Sequence, residues 1–276
     1  MASPVNLRLL IFAWLGLAAL SQADSFDKEK LVAWCIVPFD AKNRTPTQRV
    51  QMLKELGLKR VAYDWRAKHV TEFEEEILQY KKNDIEFFAF WSTHPEAFRL
   101  FKKHNIRPQI WRAASSPINK KQQTKIDVAV QGLLPLVEQT RKLGSKLGLY
   151  NHGGWGGEPK NLIAVCESLR KHHNADHVGI VYNLHHGHDH ISDLNQSLKA
   201  MQPYLLCLNL NGMNDDAQPK ILPLGQGQHD ARLIRVIRNS GYKGPIGILD
   251  HRSDTDSKVA LQQNINGLKK LVAESK

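Results

Sequence analysis

Eight short apolar runs alternate with amphipathic segments along this chain, and this alternation limits the fold more than any other feature. Turn-forming residues stand at both ends of each run, as they do at the ends of buried strands. The segments between the runs carry apolar residues three and four positions apart, such as Val50, Leu53 and Leu56, which predicts helices with one buried face. The predicted strands are Leu31–Val37, Arg60–Trp65, Glu86–Trp91, Arg107–Arg112, Lys146–Asn151, Val178–Asn183, Tyr204–Leu210 and Pro245–Asp250.

A closed parallel barrel is the arrangement that this repeat favours. Runs that are apolar on both faces suit a parallel sheet covered by helices. A doubly wound open sheet is the alternative, but eight units of similar size, with no glycine-rich phosphate loop after the first strand, favour closure. We therefore expect an α/β protein with a single (β/α)8 TIM barrel over residues 24–276, a length close to the roughly 250 residues typical of that fold.

Residues 1–23 have the pattern of a cleaved export signal. Arg8 precedes an apolar stretch from Leu9 to Leu20, and the small residues Ser21 and Ala23 stand before a cleavage site at Asp24. The apolar stretch is shorter than the roughly 20 residues that span a bilayer. We expect a secreted or periplasmic protein with no membrane attachment after cleavage; an uncleaved anchor is the alternative.

The net charge indicates which partners to expect, and the cysteine positions indicate whether the thiols are paired or bind metal. The formal net charge is +11, but the lysines and arginines are spread as pairs and form no long basic block among aromatics. This favours attraction for anionic glycans or sugar acids over nucleic acid, which we do not expect as a partner. Cys35, Cys166 and Cys207 lie inside apolar runs without metal-ligand spacing, which predicts buried thiols.

Aromatic, amide and imidazole side chains follow the predicted strands. In a parallel barrel the carboxyl ends of the strands meet at the mouth, where such barrels carry out their chemistry. Flat aromatic rings stack on sugar rings, and amides and imidazoles bond directionally to hydroxyl groups. A small carbohydrate is the expected substrate, and the candidate binding residues are Asn183, Asn209, Asn211, His185, Trp65, Trp111 and Asp250. Each tryptophan also fits a role in capping the barrel core.

Three stretches give the chain a family resemblance. They are Leu147–Gly154, which contains Tyr150-Asn151-His152; Val181–His186; and Leu222–Gly227 together with Tyr242–Ile246. With these motifs the chain resembles the xylose isomerase-like barrel proteins, the sugar phosphate isomerase/epimerase group. The resemblance implies a TIM barrel that acts on a carbohydrate.

The resemblance also implies a divalent metal ion, but the usual ligands are largely replaced. Where that family commonly has Glu, Asp, His and Glu on strands five to eight, this chain has Tyr150, Asn183, Asn209 and either Leu249 or Asp250. Phenol and amide groups are poor ligands for Mg²⁺ or Mn²⁺. A second donor set of His152, His186, His229 and Asp250 would suit Zn²⁺. The alternative is that these histidines bond to sugar hydroxyls or loop backbone and that no metal binds. No nucleotide cofactor is expected.

Acid–base chemistry on a sugar needs no metal. His152 and His186 are the candidate proton carriers, with Tyr150 and Arg112 stabilising an oxyanion. These roles suit a sugar isomerase or epimerase, and they also suit a keto-sugar lyase or hydratase. A non-catalytic carbohydrate-binding protein on a degenerated isomerase frame remains the alternative from another class.

Overall fold

A computed structural model describes residues 26–118 and 121–275. Its eight strands are all parallel, and each pairs with the next along the chain until β8 closes on β1. The predicted (β/α)8 TIM barrel is confirmed. The export signal predicted over residues 1–23 lies outside the described residues. The strands are β1 (Leu31–Trp34), β2 (Arg60–Tyr63), β3 (Glu86–Trp91), β4 (Gln109–Ala113), β5 (Leu147–Tyr150), β6 (Val178–Asn183), β7 (Leu205–Leu210) and β8 (Ile246–Leu249).

A helix follows each strand and covers the outside of the barrel. The first begins with a capping box in which Thr45 and Gln48 each satisfy the other's backbone N–H, and Pro46 fits the first turn because its missing N–H has no partner there in any case. The helices are α1 (Pro46–Leu56), α2 (Phe73–Lys82), α3 (Pro95–Lys103), α4 (Gln122–Leu143), α5 (Pro159–His173), α6 (Leu194–Met201), α7 (Asp230–Asn239) and α8 (Ser257–Glu274). Among the described residues, none of the helices combines the length and apolarity needed to cross a bilayer.

Two apolar layers hold the barrel together. One lies between the strands and the helices, and the other fills the barrel itself, where Trp34 and Trp111 pack edge to face with ring centres 5.0 Å apart. Gly148 makes room for this filling, since a Cβ there would lie 2.6 Å from Val181 and 2.9 Å from Trp111. The barrel is therefore solid below its mouth. Its three cysteines are buried and unpaired, as predicted.

A buried ion pair joins the first two helices behind strand β2. Nε and Nη2 of Arg49 on α1 donate to the two carboxylate oxygens of Glu76 on α2 at 3.0 and 2.8 Å. Both side chains are at most 1% exposed. This bidentate geometry holds α1 and α2 in register beneath the end of β2, where a pocket residue follows.

Candidate functional site

A pocket opens at the carboxyl ends of the strands. It is narrow, with a cavity volume of about 80 Å³, well below the range of about 300–1,000 Å³ that is usual for small-molecule sites. Together with the open solvent of its mouth, the space above these residues is about 400 Å³. The pocket is lined by Trp34, Cys35, Phe39, Asp64, Arg66, Trp91, Tyr150, His152, Asn183, His185, His186, Leu249 and His251.

Tyr150 forms the floor of the pocket. Its phenolic oxygen accepts a hydrogen bond from Trp34 Nε1 at 3.3 Å and a second from Asn183 Nδ2. Burial raises the pKa of Tyr150 well above its ordinary value, so the phenol stays protonated. Because two donors occupy the oxygen, its own hydrogen is left to donate to another group.

Asn183 orients the histidine-rich turn after β6. Its backbone N–H donates to Asn151 Oδ1 at 2.7 Å, and Asn151 Nδ2 donates back to the Asn183 carbonyl at 2.9 Å. The Asn183 side-chain oxygen accepts from the backbone N–H of His185 at 3.1 Å and so begins a short 3₁₀ helix, Leu184–His186. The turn thereby places both of its imidazoles in the pocket wall.

Four imidazoles form an arc around the pocket. The ring centres of His152 and His186 are 4.6 Å apart, those of His186 and His185 are 4.3 Å apart, and those of His185 and His251 are 4.9 Å apart. Burial, reinforced by neighbouring cationic groups such as Lys220, lowers the pKa of His185 to about 2, of His186 to about 3 and of His251 to about 4. These three rings are neutral near pH 7 and can each accept a hydrogen bond or a proton.

Aromatic rings continue the wall on either side of the histidines. Trp91 lies nearly parallel to His152 with ring centres 5.5 Å apart, and it contacts Tyr150 at 4.7 Å. Phe39 packs against His251 at 3.9 Å. Flat apolar faces next to polar nitrogens match a sugar ring, which carries C–H groups on its faces and hydroxyls on its edge.

Asp64 and Cys35 stand at the ends of β2 and β1. Burial raises the pKa of Asp64 to about 7, although Arg66 and two backbone N–H groups oppose that rise. Burial also raises the pKa of the Cys35 thiol, and the nearby Asp64 carboxyl adds to this. Both residues line the pocket, although neither was among the site residues predicted from sequence: Asp64 directly follows its strand, and Cys35 was predicted only as a buried thiol.

Five of the residues predicted from sequence line the pocket, and several others lie elsewhere. Tyr150, His152, His186 and the two neighbours Asn183 and His185 all line the cavity. Arg112 does not, because it follows the inward-facing Trp111 and successive strand residues point to opposite faces. Its guanidinium bonds to Ser92 Oγ at 2.8 Å on the outer side, which corrects its predicted place beside an oxyanion.

The two tryptophans proposed for sugar stacking belong to the core. Trp111 is fully buried inside the barrel and donates to Gln109 at 3.0 Å. Trp65 points outward and packs against Phe73 and His94 at 5.6 and 5.0 Å. Both predictions of substrate contact are therefore corrected, and the role of capping the core applies.

The remaining polar candidates lie beneath or beside the pocket. Asn209 is fully buried in the barrel next to Cys207, and Asn211 donates to the Gly212 carbonyl at 2.8 Å. Asp250 accepts from Ser257 Oγ at 2.9 Å at the start of α8. It points away from the cavity because Leu249, the residue before it, points in. None of the three lines the pocket, which corrects their predicted substrate contacts.

The donor groups present do not fit a metal ion. Of the proposed set, only His152 and His186 face each other; His229 instead pairs with Asp215 at 2.5 Å, and Asp250 is held by Ser257. Over residues 26–118 and 121–275, no group of three or more His, Cys, Asp and Glu side chains is placed to hold an ion. At two of the positions where the resemblance implies metal ligands, Asn183 Nδ2 instead donates to the Tyr150 hydroxyl.

The fold has close counterparts among solved structures. The IolI protein with a bound zinc atom matches with a TM-score of 0.70 at 12% identity, over 90% of this chain and 99% of its own. This likeness shows that the two chains share the eight-stranded barrel fold. The 3-keto-D-glucoside 4-epimerase YcjR from E. coli matches this barrel at 0.62 and 13% identity, over 89% of this chain and 100% of its own.

A third neighbour is the D-psicose 3-epimerase from Clostridium cellulolyticum H10, with a TM-score of 0.61 at 10% identity over 89% of this chain and 98% of its own. By sequence, no protein-family model and no curated protein matches the chain. At identities of 10–13% these likenesses establish the barrel, while the reaction has to be argued from the pocket.

Proposed function

We propose that the pocket binds a small keto-sugar and moves a proton at the carbon beside its carbonyl, as a sugar epimerase or isomerase does. The facing imidazoles of His152 and His186, 4.6 Å apart beside an aromatic wall, carry this proposal. The carbon acid next to a carbonyl loses its proton to a positioned base, and the resulting enediolate needs a donor for its oxygen. The pocket supplies groups for both tasks.

His186 is our first choice for the base. Its pKa of about 3 keeps it neutral and able to take a proton, although a group so easily deprotonated is a weak base in the empty pocket. The negative charge of a forming enediolate would offset the repulsion that His152 and Lys220 exert on the imidazolium. Substrate binding and proton transfer are thus coupled at this ring.

Tyr150 is the donor for the enediolate oxygen. Its hydrogen is free because Trp34 and Asn183 already donate to its oxygen, and those two bonds hold the phenol at the floor. A buried neutral donor fixed before the reaction stabilises a developing oxyanion without having to reorganise. The neighbouring barrels that act as epimerases on 3-keto-D-glucosides and D-psicose support a keto-sugar as the substrate class.

A carbohydrate-binding protein without catalysis is the second candidate. It is favoured by one observation, that phenol and amide groups take the places of the family's metal-binding residues. The same aromatic and imidazole wall would then hold a sugar without transforming it. Proton exchange in D₂O separates the two candidates.

The test is proton exchange in D₂O followed by NMR. Purified protein is incubated with D-psicose, D-fructose, D-tagatose, L-ribulose and a methyl 3-keto-D-glucoside. Deuterium at the carbon beside the carbonyl, together with a new epimer or isomer, is the expected result for the wild type. His186→Ala should lose this turnover by at least about 100-fold, in the range of general acid–base effects. His172→Ala, which removes an exposed imidazole at the end of α5, is the matched control.

Binding without exchange, seen as line broadening of the sugar alone, would favour the binding protein. Unchanged exchange in His186→Ala would remove that residue from the mechanism. Thermal melting of each variant checks that loss of activity is not loss of folding.

We also propose that the protein is exported and cleaved before Asp24. The single cation, the apolar stretch and the small residues at positions 21 and 23 support this. Expression from Met1 followed by N-terminal sequencing of the extracellular or periplasmic protein should give Asp24 as the first residue. Recovery of the full chain from the cell membrane would instead indicate the uncleaved anchor.

A further inference from the structure

Asp64 is a buried carboxyl with unused hydrogen-bonding capacity. Its side chain lines the pocket, the residue is only 2% exposed, and its Oδ1 atom has no hydrogen-bond partner. It supplies the only carboxyl among the pocket-lining residues. A buried polar atom without a partner costs free energy, and a pocket residue that carries this cost is available to bond to a ligand.

The closed barrel sets Asp64 across the pocket from the histidines. β2 and β6 are four strands apart in either direction around eight strands, so Asp64 after β2 and His186 after β6 stand on opposite walls. β1 and β5 are also four strands apart, so Cys35 after β1 lies opposite His152 after β5. One wall therefore carries imidazoles and the opposite wall carries a carboxyl and a thiol.

Resting on the proposed function, we infer that Asp64 is the second proton carrier of the pocket and acts on the face of the sugar opposite His186. His186 removes the proton from the carbon beside the carbonyl, and the electron pair moves into an enediolate. Asp64 then delivers its proton to the same carbon from the other face, which inverts the configuration. The substrate neither gains nor loses atoms, and exchange with water returns a proton to Asp64 and removes one from His186.

The protonation states of Asp64 and His186 suit these roles, with Asp64 as the acid and His186 as the base. Burial raises the pKa of Asp64 to about 7, so a large fraction of Asp64 carries the proton that it must deliver at neutral pH, while His186 is neutral and able to receive one. Arg66 beside Asp64 and Arg49 behind it from α1 oppose that rise. The other groups that face it, Cys35 from β1 and Tyr150 from β5, stay uncharged because burial raises the pKa of each.

Proton carriers on opposite walls of the pocket favour inversion of configuration at one carbon. An aldose–ketose isomerisation moves a proton between neighbouring carbons on one face and needs a single base. Epimerisation at one carbon needs an acid and a base on opposite faces of the planar intermediate. Of the reactions within the proposed function, the geometry points to epimerisation of a ketose.

The test compares exchange with inversion in Asp64→Asn, which keeps the shape of the side chain and removes its proton. With a ketose that the wild type converts, this variant in D₂O should still incorporate deuterium at the reacting carbon. Formation of the epimer should fall at least about 100-fold. Asp127→Asn, which removes one exposed carboxylate on α4, should leave both rates at the wild-type value.

Epimer formation by Asp64→Asn at the wild-type rate would overturn the inference. If the variant does not fold, the inference is tested in the wild type by measuring epimer formation and deuterium exchange as functions of pH. Epimer formation should decline above about pH 7, where Asp64 loses its proton, while deuterium exchange continues. Parallel profiles would overturn the inference. A wild type that exchanges no proton with any ketose would overturn the proposed function itself, and this inference with it.

Discussion

Replacing Tyr150 with phenylalanine removes a hydroxyl that accepts hydrogen bonds from two buried donors. Trp34 is 3% exposed and Asn183 is 1% exposed, so neither donor has ready access to bulk water. A buried donor left without a partner costs about 1–3 kcal/mol. Because both donors also line the open pocket, we place the cost in the lower part of twice that range and expect Tyr150→Phe to lower the free energy of unfolding by about 2–4 kcal/mol.

Tyr182 provides the matched control one strand away. It is equally buried, but its hydroxyl has no hydrogen-bond partner. Tyr182→Phe therefore removes a desolvated polar group without leaving any donor unpaired, and stability should stay within about 0.5 kcal/mol of the wild type or increase. The two variants lose the same atom, so a difference between them measures the hydrogen bonds at Tyr150.

Urea unfolding and calorimetry at one pH measure both variants. For a chain of this size about 1 kcal/mol moves the melting temperature by about 2–4 °C, so Tyr150→Phe should melt about 4–16 °C below the wild type. Equal losses in the two variants, or a larger loss in Tyr182→Phe, would refute the assignment of Tyr150 as the acceptor that organises the pocket floor.

Three further predictions concern protons, metals and the outer face. The pKa of His185 is about 6.5 in the unfolded chain and about 2 in the folded protein, so the free energy of unfolding should fall as the pH drops below about 6.5. Urea unfolding from pH 7 to 5 measures this pH dependence, which should be weaker in His185→Asn and unchanged in His172→Asn. Dialysis against EDTA followed by the D₂O exchange assay should leave turnover unchanged, because the pocket offers no ligand set, and restoration of lost turnover by added Zn²⁺ or Mn²⁺ would contradict this. Arg112→Ala should retain turnover within about twofold, because its guanidinium bonds to Ser92 outside the pocket, and a loss as large as that of His186→Ala would contradict that placement.

Much of the fold was readable from the apolar pattern. Every predicted strand exists, and the ends differ by three residues at most, as where β1 ends at Trp34 and not at Val37. The pattern succeeds because a strand covered by helices must be apolar on both faces. Turn residues and caps such as Thr45 then mark where each helix begins.

The candidate site was predictable only in part. The positions just past the strand ends include Tyr150, Asn183 and His186, which line the pocket, and also Arg112 and Trp65, which do not. Both mistakes follow from treating every residue at a strand end as inward-facing. Side chains alternate between the two faces, so a residue next to an inward one points to the helices. Applied to β2, the same rule selects Asp64 because Trp65 and Tyr63 pack outward.

The sequence by itself determined the eight-fold repeat, the single barrel and the gathering of imidazole and aromatic groups at its mouth, because burial of apolar strands depends on local pattern. Only the tertiary structure decided that His229 pairs with Asp215 away from the pocket and that Asp64 joins the site. Those outcomes depend on loop paths and on how far each side chain is removed from water. Such distances arise only when all eight strands have closed around one cavity.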